Sequence, residues 1–245
     1  MVKRASASDN KGKADSVVRE EIVNALLFQR FAFCKPIELE DLTEGMGDEV
    51  VVLRDKTILR MDREAESREL AEILSKAKLG EADPLLATFF FQNDITPQEG
   101  RYASIFFRLC QPLQNAWVYK TMRKWVPDIY EAEIAELMMM WEASLTGTLK
   151  DNGDPEIRQL YLSIFTILSE NPANNIQLVL QTDQEYRADW ERYIDTLRKL
   201  VQQEPNADLF LSLPLVTNAP YLVQIITDKD GFRHYEVKSL KKVAV

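Results

Sequence analysis

The chain has 245 residues, of which 46% are hydrophobic and 28% are charged, and this globular composition excludes a largely disordered or collagen-like polypeptide. The length suits one large domain or two small ones. The net charge of −9 argues against a surface built to bind duplex nucleic acid, because such surfaces carry a basic footprint.

Eight segments carry apolar residues at the spacing that places them on one face of a helix. In chain order, these predicted helices cover residues 16–32, 63–78, 83–92, 97–110, 113–125, 128–147, 155–169 and 183–203. The short apolar stretch 174–181 fits either a helix or a strand. Residues 1–15, which are rich in Ser, Lys and Asp, are predicted to form a disordered basic arm.

Residues that cap or break helices set the predicted limits. Asp62 is a candidate N-cap for the second helix, and Gly80 is expected to end that helix. Pro112 is expected to separate the fourth helix from the fifth, because a proline inside a helix removes a backbone donor. Thr182 and Glu185 form a capping-box pattern at the start of the last helix.

Strand-like patterns predict two β-hairpins. The first spans 49–61, where two β-branched runs flank a short charged turn. From Asn206 the helical pattern gives way to short strand-like runs, and residues 221–227 and 232–237 flank a turn in which Gly231 supplies a positive φ. The sequence therefore predicts an α+β fold that is mainly α-helical, with seven to eight helices, an early β-hairpin and a C-terminal β-hairpin.

Charge is distributed unevenly along this organisation. The predicted parts are the basic arm (1–15), a mainly helical body (16–207) that includes the first hairpin, and a C-terminal β segment with a basic tail (208–245). Residues 1–13 and 229–245 each carry a net charge of +3, which leaves −15 on the chain between them. Basic ends can bind a polyanion such as nucleic acid, or the acidic body of a second copy.

The motif inventory excludes several enzyme classes. His234 is the single histidine, so metal sites that need two histidines, such as HExxH, are excluded. A Ser-His-Asp or Cys-His mechanism would have to use His234. The eight glycines form neither a GxGxxG nor a GxxxxGK[ST] phosphate-binding loop. We therefore expect no cofactor and no metal ion, and the balance favours a protein without enzymatic activity.

The cysteines and the apolar segments bear on the compartment. Cys34 and Cys110 lie in apolar sequence and are predicted to be buried, reduced thiols. The polar first fifteen residues lack the apolar core of a secretory signal.

Residues 209–227 carry no charge, but Pro214 and Pro220 interrupt them, so we expect strands rather than a membrane span. The expected location is the cytoplasm, or a virion in a host cytoplasm.

The C-terminal hairpin contains one short catalytic pattern. Glu236, Val237 and Lys238 resemble the E-x-K half of the PD-(D/E)xK nucleases. The resemblance implies that Glu236 and an upstream carboxylate would hold Mg²⁺ while Lys238 orients the attacking water. Asp228 or Asp230 would supply that upstream carboxylate, which suits a hard cation. Mixed charges on an exposed strand explain the same residues, so a Mg²⁺-dependent nuclease remains an alternative function.

Residues 89–91 and 138–140 are two runs of large apolar side chains that one face of a helix cannot hold. On a helix, three consecutive side chains spread over about 200°, which is wider than a one-sided apolar stripe. At least one member of each run must then meet a second layer of the protein or another molecule. The candidate interface residues are Phe89, Phe90, Phe91, Phe107, Met138, Met139 and Met140. Aromatic rings and adaptable methionines are common at interfaces, whereas burial on two sides explains the same pattern.

Two charged clusters lie within the helical body. Glu131, Glu133 and Glu136 belong to the helix over 128–147, and without a partner cluster elsewhere they are predicted to form a solvated acidic face. Residues 119–125 interleave aromatic and basic side chains. That pattern makes them a candidate for contact with single-stranded nucleic acid.

The favoured function is therefore a non-enzymatic one. We expect protein–protein interaction or assembly, through a protein partner or through self-association, in a protein of cellular, viral or phage origin. The alternatives are the Mg²⁺-dependent nuclease and a nucleic-acid-binding module that uses the basic termini.

Overall fold

The computed structural model describes residues 26–42, 49–61, 65–92, 94–147, 154–171, 176–177 and 187–240. Residues 26–30 of the predicted first helix are helical. The predicted helix ends there, because Phe31 and Ala32 are not helical. Residues 16–25 of that helix, the arm, Asp62, most of the stretch 174–181 and the capping-box pattern at Thr182 and Glu185 lie outside the described residues.

Helices account for most of the described chain. They are α1 (Ser67–Ala82), α2 (Pro84–Ala87), α3 (Pro97–Trp125), α4 (Pro127–Leu145), α5 (Pro155–Leu168), α6 (Arg187–Leu200) and α7 (Leu213–Val216), with a 3₁₀ helix at Ala207–Ser212 before α7. The strands are β1 (Ile37–Asp41), β2 (Glu49–Val52), β3 (Thr57–Met61), β4 (Tyr221–Thr227) and β5 (Arg233–Ser239). The fold is α+β and mainly α-helical, as the sequence predicts.

The first three strands form an N-terminal sheet in the order β1-β3-β2. Strands β2 and β3 are antiparallel, which confirms the predicted hairpin. Strand β1 pairs with β3 in parallel and was not predicted. Its side chains beyond Ile37 are exposed, so it lacks the alternation of buried and exposed positions that marks a half-buried strand.

Gly80 lies inside α1 and does not end it, which corrects the sequence prediction. A Cβ at this position would lie 2.5 Å from Cγ2 of Val52 and 2.8 Å from Cβ of Ala87. The glycine therefore lets β2 and α2 approach the backbone of α1 closely. The N-cap of α1 is Glu66, whose backbone N–H donates to the side chain of Glu69 at 3.2 Å.

Helix α2 is much shorter than the predicted helix over 83–92. The side chain of Asp83 caps it by accepting from the backbone N–H of Leu85 at 3.1 Å, and the helix ends at Ala87. Beyond it, the hydroxyl of Thr88 donates to the backbone carbonyl of Val50, and the chain continues in an extended form. Contacts with distant strands therefore override the local helical pattern.

Pro112 does not break α3, which runs through it as one helix of 29 residues. A proline leaves the carbonyl four residues earlier without its helical donor. Here the carbonyl of Arg108 accepts instead from Nε2 of Gln159 in α5 at 2.9 Å. The next carbonyl, that of Leu109, accepts from the hydroxyl of Tyr193 in α6 at 2.8 Å. Neighbouring helices thus satisfy the backbone where the proline interrupts it.

Helix α3 runs through the centre of the core. Trp117 and Phe106 of this helix are fully buried, as are Phe210 of the 3₁₀ helix and Tyr235 of β5. The β4–β5 hairpin, called the C-terminal sheet below, contributes to the same hydrophobic core. The sequence prediction of this hairpin is confirmed.

The segment between Asn206 and the hairpin is helical, although strands were predicted there. The side chain of Asn206 caps the 3₁₀ helix by accepting from the backbone N–H of Asp208 at 2.9 Å. Pro214 lies in the first turn of α7, where a missing N–H costs nothing. In the part of the chain that the structure describes, no helix has both the length and the apolar character needed to span a membrane.

The two cysteines are both free, but their environments differ. Cys110 is buried in α3, and burial raises the pKa of its thiol. Cys34 is exposed, which corrects the prediction of burial. The backbone N–H groups of Cys34 and Lys35 donate to Oε1 of Glu81 at 2.5 and 3.2 Å. This contact holds the backbone on α1 while the thiol stays in solvent.

Candidate functional site

The candidate site is the outer face of the C-terminal sheet. Strand residues alternate between faces, so Tyr235 and Val237 enter the core while His234, Glu236 and Lys238 lie on the other face. The antiparallel register places Glu236 opposite Gln224 and His234 opposite Ile226. The outer face is therefore a mixture of charged, polar and aliphatic side chains.

A tight turn joins the two strands at one end of this face. The carboxylate of Asp228 accepts from the backbone N–H groups of Asp230 and Phe232 at 2.9 and 2.8 Å. Gly231 has φ of +83°, as the sequence predicts for this position. The turn thereby fixes the Asp228 carboxylate and exposes the ring of Phe232 at the edge of the outer face.

An extended segment after α2 lies along β5. The backbone N–H of Tyr235 donates to the carbonyl of Phe90 at 2.7 Å, and the N–H of Gln92 donates to the carbonyl of Tyr235 at 3.2 Å. The Gln92 side-chain oxygen also accepts from the N–H of Val237 at 3.2 Å. Because Phe91 pairs with Tyr235, Phe90 and Gln92 lie on the outer face.

Together these elements border an open cleft of about 560 Å³. It is lined by Phe90, Phe91, Gln92, Asp94, Asp228, Phe232, His234 and Glu236. The rings of Phe90 and Phe232 meet edge to face with centroids 5.8 Å apart. The cleft, called the acidic cleft below, thus combines an aromatic pair with three carboxylates and one histidine.

The residues of the E-x-K pattern are close together but already paired. Nζ of Lys238 lies 2.7 Å from Oε2 of Glu236, and Gln224 donates to the same oxygen. The Lys238 contact, followed by the Gln224 contact, lowers the pKa of Glu236. Asp228 is engaged in the turn and Asp230 is exposed. Among the described residues, no group of three or more histidine, cysteine or carboxylate side chains could hold a metal ion.

The three phenylalanines at 89–91 lie outside any helix, which corrects their predicted setting. Phe89 packs between Phe106, Phe210 and Tyr235 at centroid distances of 6.2, 5.2 and 5.5 Å. Phe91 also contacts Phe106 and Tyr235. Phe107 is 37% exposed and meets Phe89 edge to face. Of the three rings, Phe90 is the one that takes part in the outer aromatic pair.

The methionine run lies on a helix, as predicted. Met138 and Met140 of α4 pack against the core, whereas Met139 is 64% exposed. The exposed member leaves the main apolar face, as the helical geometry requires. Whether Met139 contacts another molecule stays a prediction.

The glutamates of α4 do not form a simple solvated face. Glu131 and Glu136 are exposed, but Glu133 is only 7% exposed. Oε1 of Glu133 accepts from Arg68 at 3.2 Å, and Arg68 also reaches Glu136 at 3.2 Å. The partners that the sequence did not reveal are Arg68 and Glu72 on α1 and Tyr119 on α3, which cluster around Glu133.

The aromatic and basic segment 119–125 does not expose its aromatic rings as a row. Tyr119 is buried, and Trp125 stacks on Phe31 with centroids 6.2 Å apart. Lys78 and Lys124 lie over the Trp125 ring at 5.3 and 5.4 Å. Lys78 and Lys124 therefore cover the indole of Trp125.

Sequence reasoning singled out Asp228, Glu236, Phe90, Phe91 and His234 but missed Gln92, Asp94 and Phe232. Asp94, Gln92 and Phe232 carry no motif, and the extended segment over 90–92 reaches β5 across more than 140 residues of chain. The comparisons with protein families, with curated proteins and with solved structures find no match to this chain.

Proposed function

We propose that this protein is a non-enzymatic assembly protein, and that its acidic cleft binds the basic arm, residues 1–13, of a second copy. The observation that supports the proposal is the composition of the cleft. Asp94, Asp228 and Glu236 surround the Phe90–Phe232 pair in a concave surface that is open to solvent.

Charge favours a basic occupant. The cleft is lined by three carboxylates, of which Glu236 is paired with Lys238, and its sole basic lining residue is His234. The arm carries Lys3, Arg4, Lys11 and Lys13 against Asp9, a net charge of +3. Opposite charges accelerate encounter and set the register of binding, and salt screens them over about 10 Å at 0.1 M ionic strength.

The aromatic pair favours lysine or arginine in particular. A cationic side chain gains attraction when it lies within about 6 Å of a ring centroid. Phe232 is 45% exposed and its partner Phe90 is half-buried, so one ring offers a reachable face beside the carboxylates. An extended segment of the arm would then place alternate side chains toward the cleft.

The test measures the solution mass of the full chain by light scattering on a sizing column at low and at moderate salt. We expect a defined oligomer that dissociates as salt is added. Asp94→Lys, which reverses an exposed charge of the cleft, should weaken the association at least tenfold. The matched control is Asp55→Lys, the same charge change in the exposed turn of the other hairpin, and it should leave the oligomer intact.

A second pair of substitutions tests the arm. Lys11→Glu combined with Lys13→Glu changes the charge of residues 1–13 from +3 to −1 and should also abolish the oligomer. A wild-type chain that is monomeric at both salt concentrations contradicts the proposal. An oligomer that Asp94→Lys dissociates but the arm substitutions preserve would assign the cleft to a different basic segment.

Metal-dependent nucleic-acid cleavage is the second candidate, because Asp228 and Glu236 line one cleft and Lys238 contacts Glu236. On this proposal, Mn²⁺ or Mg²⁺ would displace the lysine from Glu236. Glu236→Ala should then abolish cleavage and leave the far-ultraviolet circular dichroism unchanged. Absence of cleavage by the wild-type chain with Mn²⁺ would end this candidate.

A further inference from the structure

Three helices meet at one phenolic oxygen. Oη of Tyr119 in α3 lies 3.1 Å from Oε1 of Glu72 in α1 and 3.2 Å from Oε2 of Glu133 in α4. A tyrosine hydroxyl carries one proton and can donate it to one carboxylate. The second of these oxygen–oxygen contacts is a hydrogen bond when a further proton lies between the atoms. The cluster can therefore hold one proton in addition to the phenolic proton of Tyr119.

The surroundings decide which carboxyl group takes that proton. Glu133 accepts from the guanidinium of Arg68 at 3.2 Å, so its carboxylate already has a cationic partner. The guanidinium has its second hydrogen bond with Glu136. Glu72 is half-buried, and its described hydrogen bond is the one to Tyr119. Burial raises the pKa of Glu72, so we assign the additional proton to Glu72.

We infer that Glu72, Tyr119 and Glu133 form a binding site for one proton, which links α1 to α3 and α4 in mildly acidic solution. In the protonated form, the carboxyl group of Glu72 donates to Oη of Tyr119, and the Tyr119 hydroxyl donates to Glu133, which also accepts from Arg68. Release of the proton from Glu72 to solvent breaks the first of these bonds and leaves two carboxylates competing for one hydroxyl.

The groups around Glu72 act on its pKa in both directions. Burial, which is the largest effect, raises the pKa of Glu72, and the negative charges of Glu133 and Glu69 add to the rise, whereas Tyr119 and Arg68 oppose it. On α1, the facing groups are Arg68 and Glu69. On α3 the facing group is Tyr119, whose pKa is raised by burial. On α4, they are Glu133 and Glu136.

The direction of the pH effect follows from linkage. A group whose pKa is raised in the folded state contributes stability below its unfolded pKa and loses it as pH rises through the folded pKa. Glu72→Gln replaces the carboxyl group with an amide that donates to Tyr119 at every pH. The melting temperature of Glu72→Gln minus that of wild type should therefore rise between pH 5 and pH 8. The rise should be roughly 3–5 °C for each unit by which folding raises the pKa.

Thermal unfolding of the full chain across this pH range tests the inference. The control is Glu142→Gln, an exposed carboxylate on α4 that lies outside the cluster; the rise for Glu72→Gln should exceed that for this variant. A difference between Glu72→Gln and wild type that is the same at pH 5 and pH 8 overturns the inference.

A spectroscopic measurement covers the case in which a variant is too unstable to melt cooperatively. Infrared difference spectra of the wild-type chain, recorded as pH is lowered from 8 to 5, should contain the carbonyl band of a buried protonated carboxyl group. That band should be missing in Glu72→Gln and present in Glu142→Gln. Its absence from the wild-type chain overturns the inference independently of any melting data.

Discussion

The outer faces of the two sheets differ in how their charged side chains are paired. On the N-terminal sheet, Arg60 contacts Glu40 at 2.8 Å and Glu49 at 2.6 Å, and Lys56 contacts Glu38 at 2.7 Å. Glu40 and Glu49 thus pair with a cation on a neighbouring strand, and Glu38 pairs with one in the turn before β3. On the outer face of the C-terminal sheet, the pair that the structure describes is Lys238 with Glu236.

Strand register explains the difference. In the N-terminal sheet, Arg60 of the central strand lies opposite Glu40 on one side and Glu49 on the other. In the C-terminal sheet, the neutral side chains of Gln224 and Ile226 lie opposite Glu236 and His234. Asp94 and Asp228 then add charge from outside the strands. On the first face, two cations contact three carboxylates. On the second, the described pair is that of Glu236, and we propose that the remaining negative charge binds a basic arm.

The largest expected effect is on the inner face of the C-terminal sheet. Tyr235→Ala removes a fully buried ring that contacts Phe89, Phe91 and Phe106. We expect a loss of about 3–5 kcal/mol in the free energy of unfolding, because truncation of a large buried aromatic side chain leaves a cavity. Urea denaturation measures this loss.

The matched control is Tyr235→Phe, which keeps the ring. The Tyr235 hydroxyl is buried, and no hydrogen-bond partner for it is described. Its removal should therefore leave stability unchanged or raise it by about 1 kcal/mol. A large destabilisation by Tyr235→Phe would show that the hydroxyl is satisfied and would contradict this account of the core.

A smaller effect is expected where the N-terminal sheet meets α1. Gly80→Val should cost about 1–3 kcal/mol in unfolding free energy, because the new side chain enters the space of Val52 and Ala87. The control is Gly100→Ala, whose Cβ would meet Cδ1 of Ile95 at an ordinary 3.5 Å. That substitution should be neutral or stabilise α3 by up to about 1 kcal/mol. Equal costs for the two substitutions would refute the close approach at Gly80.

The smallest effect concerns the ion pairs of the N-terminal sheet. The two carboxylates beside Arg60, through hydrogen bonds first, raise the pKa of its guanidinium. Arg60→Gln should lower the melting temperature slightly at low salt and by less at high salt, because these pairs are exposed to solvent and screened. It should leave the solution mass unchanged, in contrast to Asp94→Lys. A change of mass in Arg60→Gln would remove the distinction between the two faces.

Local signals account for the elements that were predicted well. Helix α5 begins at Pro155 after Asp154, whose side chain accepts from the N–H of Glu156 at 2.9 Å, and both residues mark a helix start in any context. The turn at Gly231 is equally local, because its positive φ favours glycine. These signals act over a few residues, so they can be recognised without knowledge of the rest of the fold.

The wrong predictions concern segments whose conformation depends on contacts with distant parts of the chain. Pro112 stays helical because Gln159 and Tyr193 supply donors to the carbonyls of Arg108 and Leu109. The run at 89–91 is extended because β5 pairs with it. Glu133 is buried because Arg68 and Tyr119 meet it from two other helices. In each case, contacts with residues that are remote in sequence stabilise the observed conformation.

The sequence by itself determined the mainly helical α+β class, both hairpins, the starts of several helices and the uneven distribution of charge. These features depend on the apolar period, on capping and turn residues, and on composition, and all of these are local or additive. Tertiary structure alone decided that Asp94, Asp228 and Glu236 border one cleft and that Glu72, Tyr119 and Glu133 share one hydrogen-bond cluster. Both sites join segments far apart in the chain, and packing of the core brings those segments together.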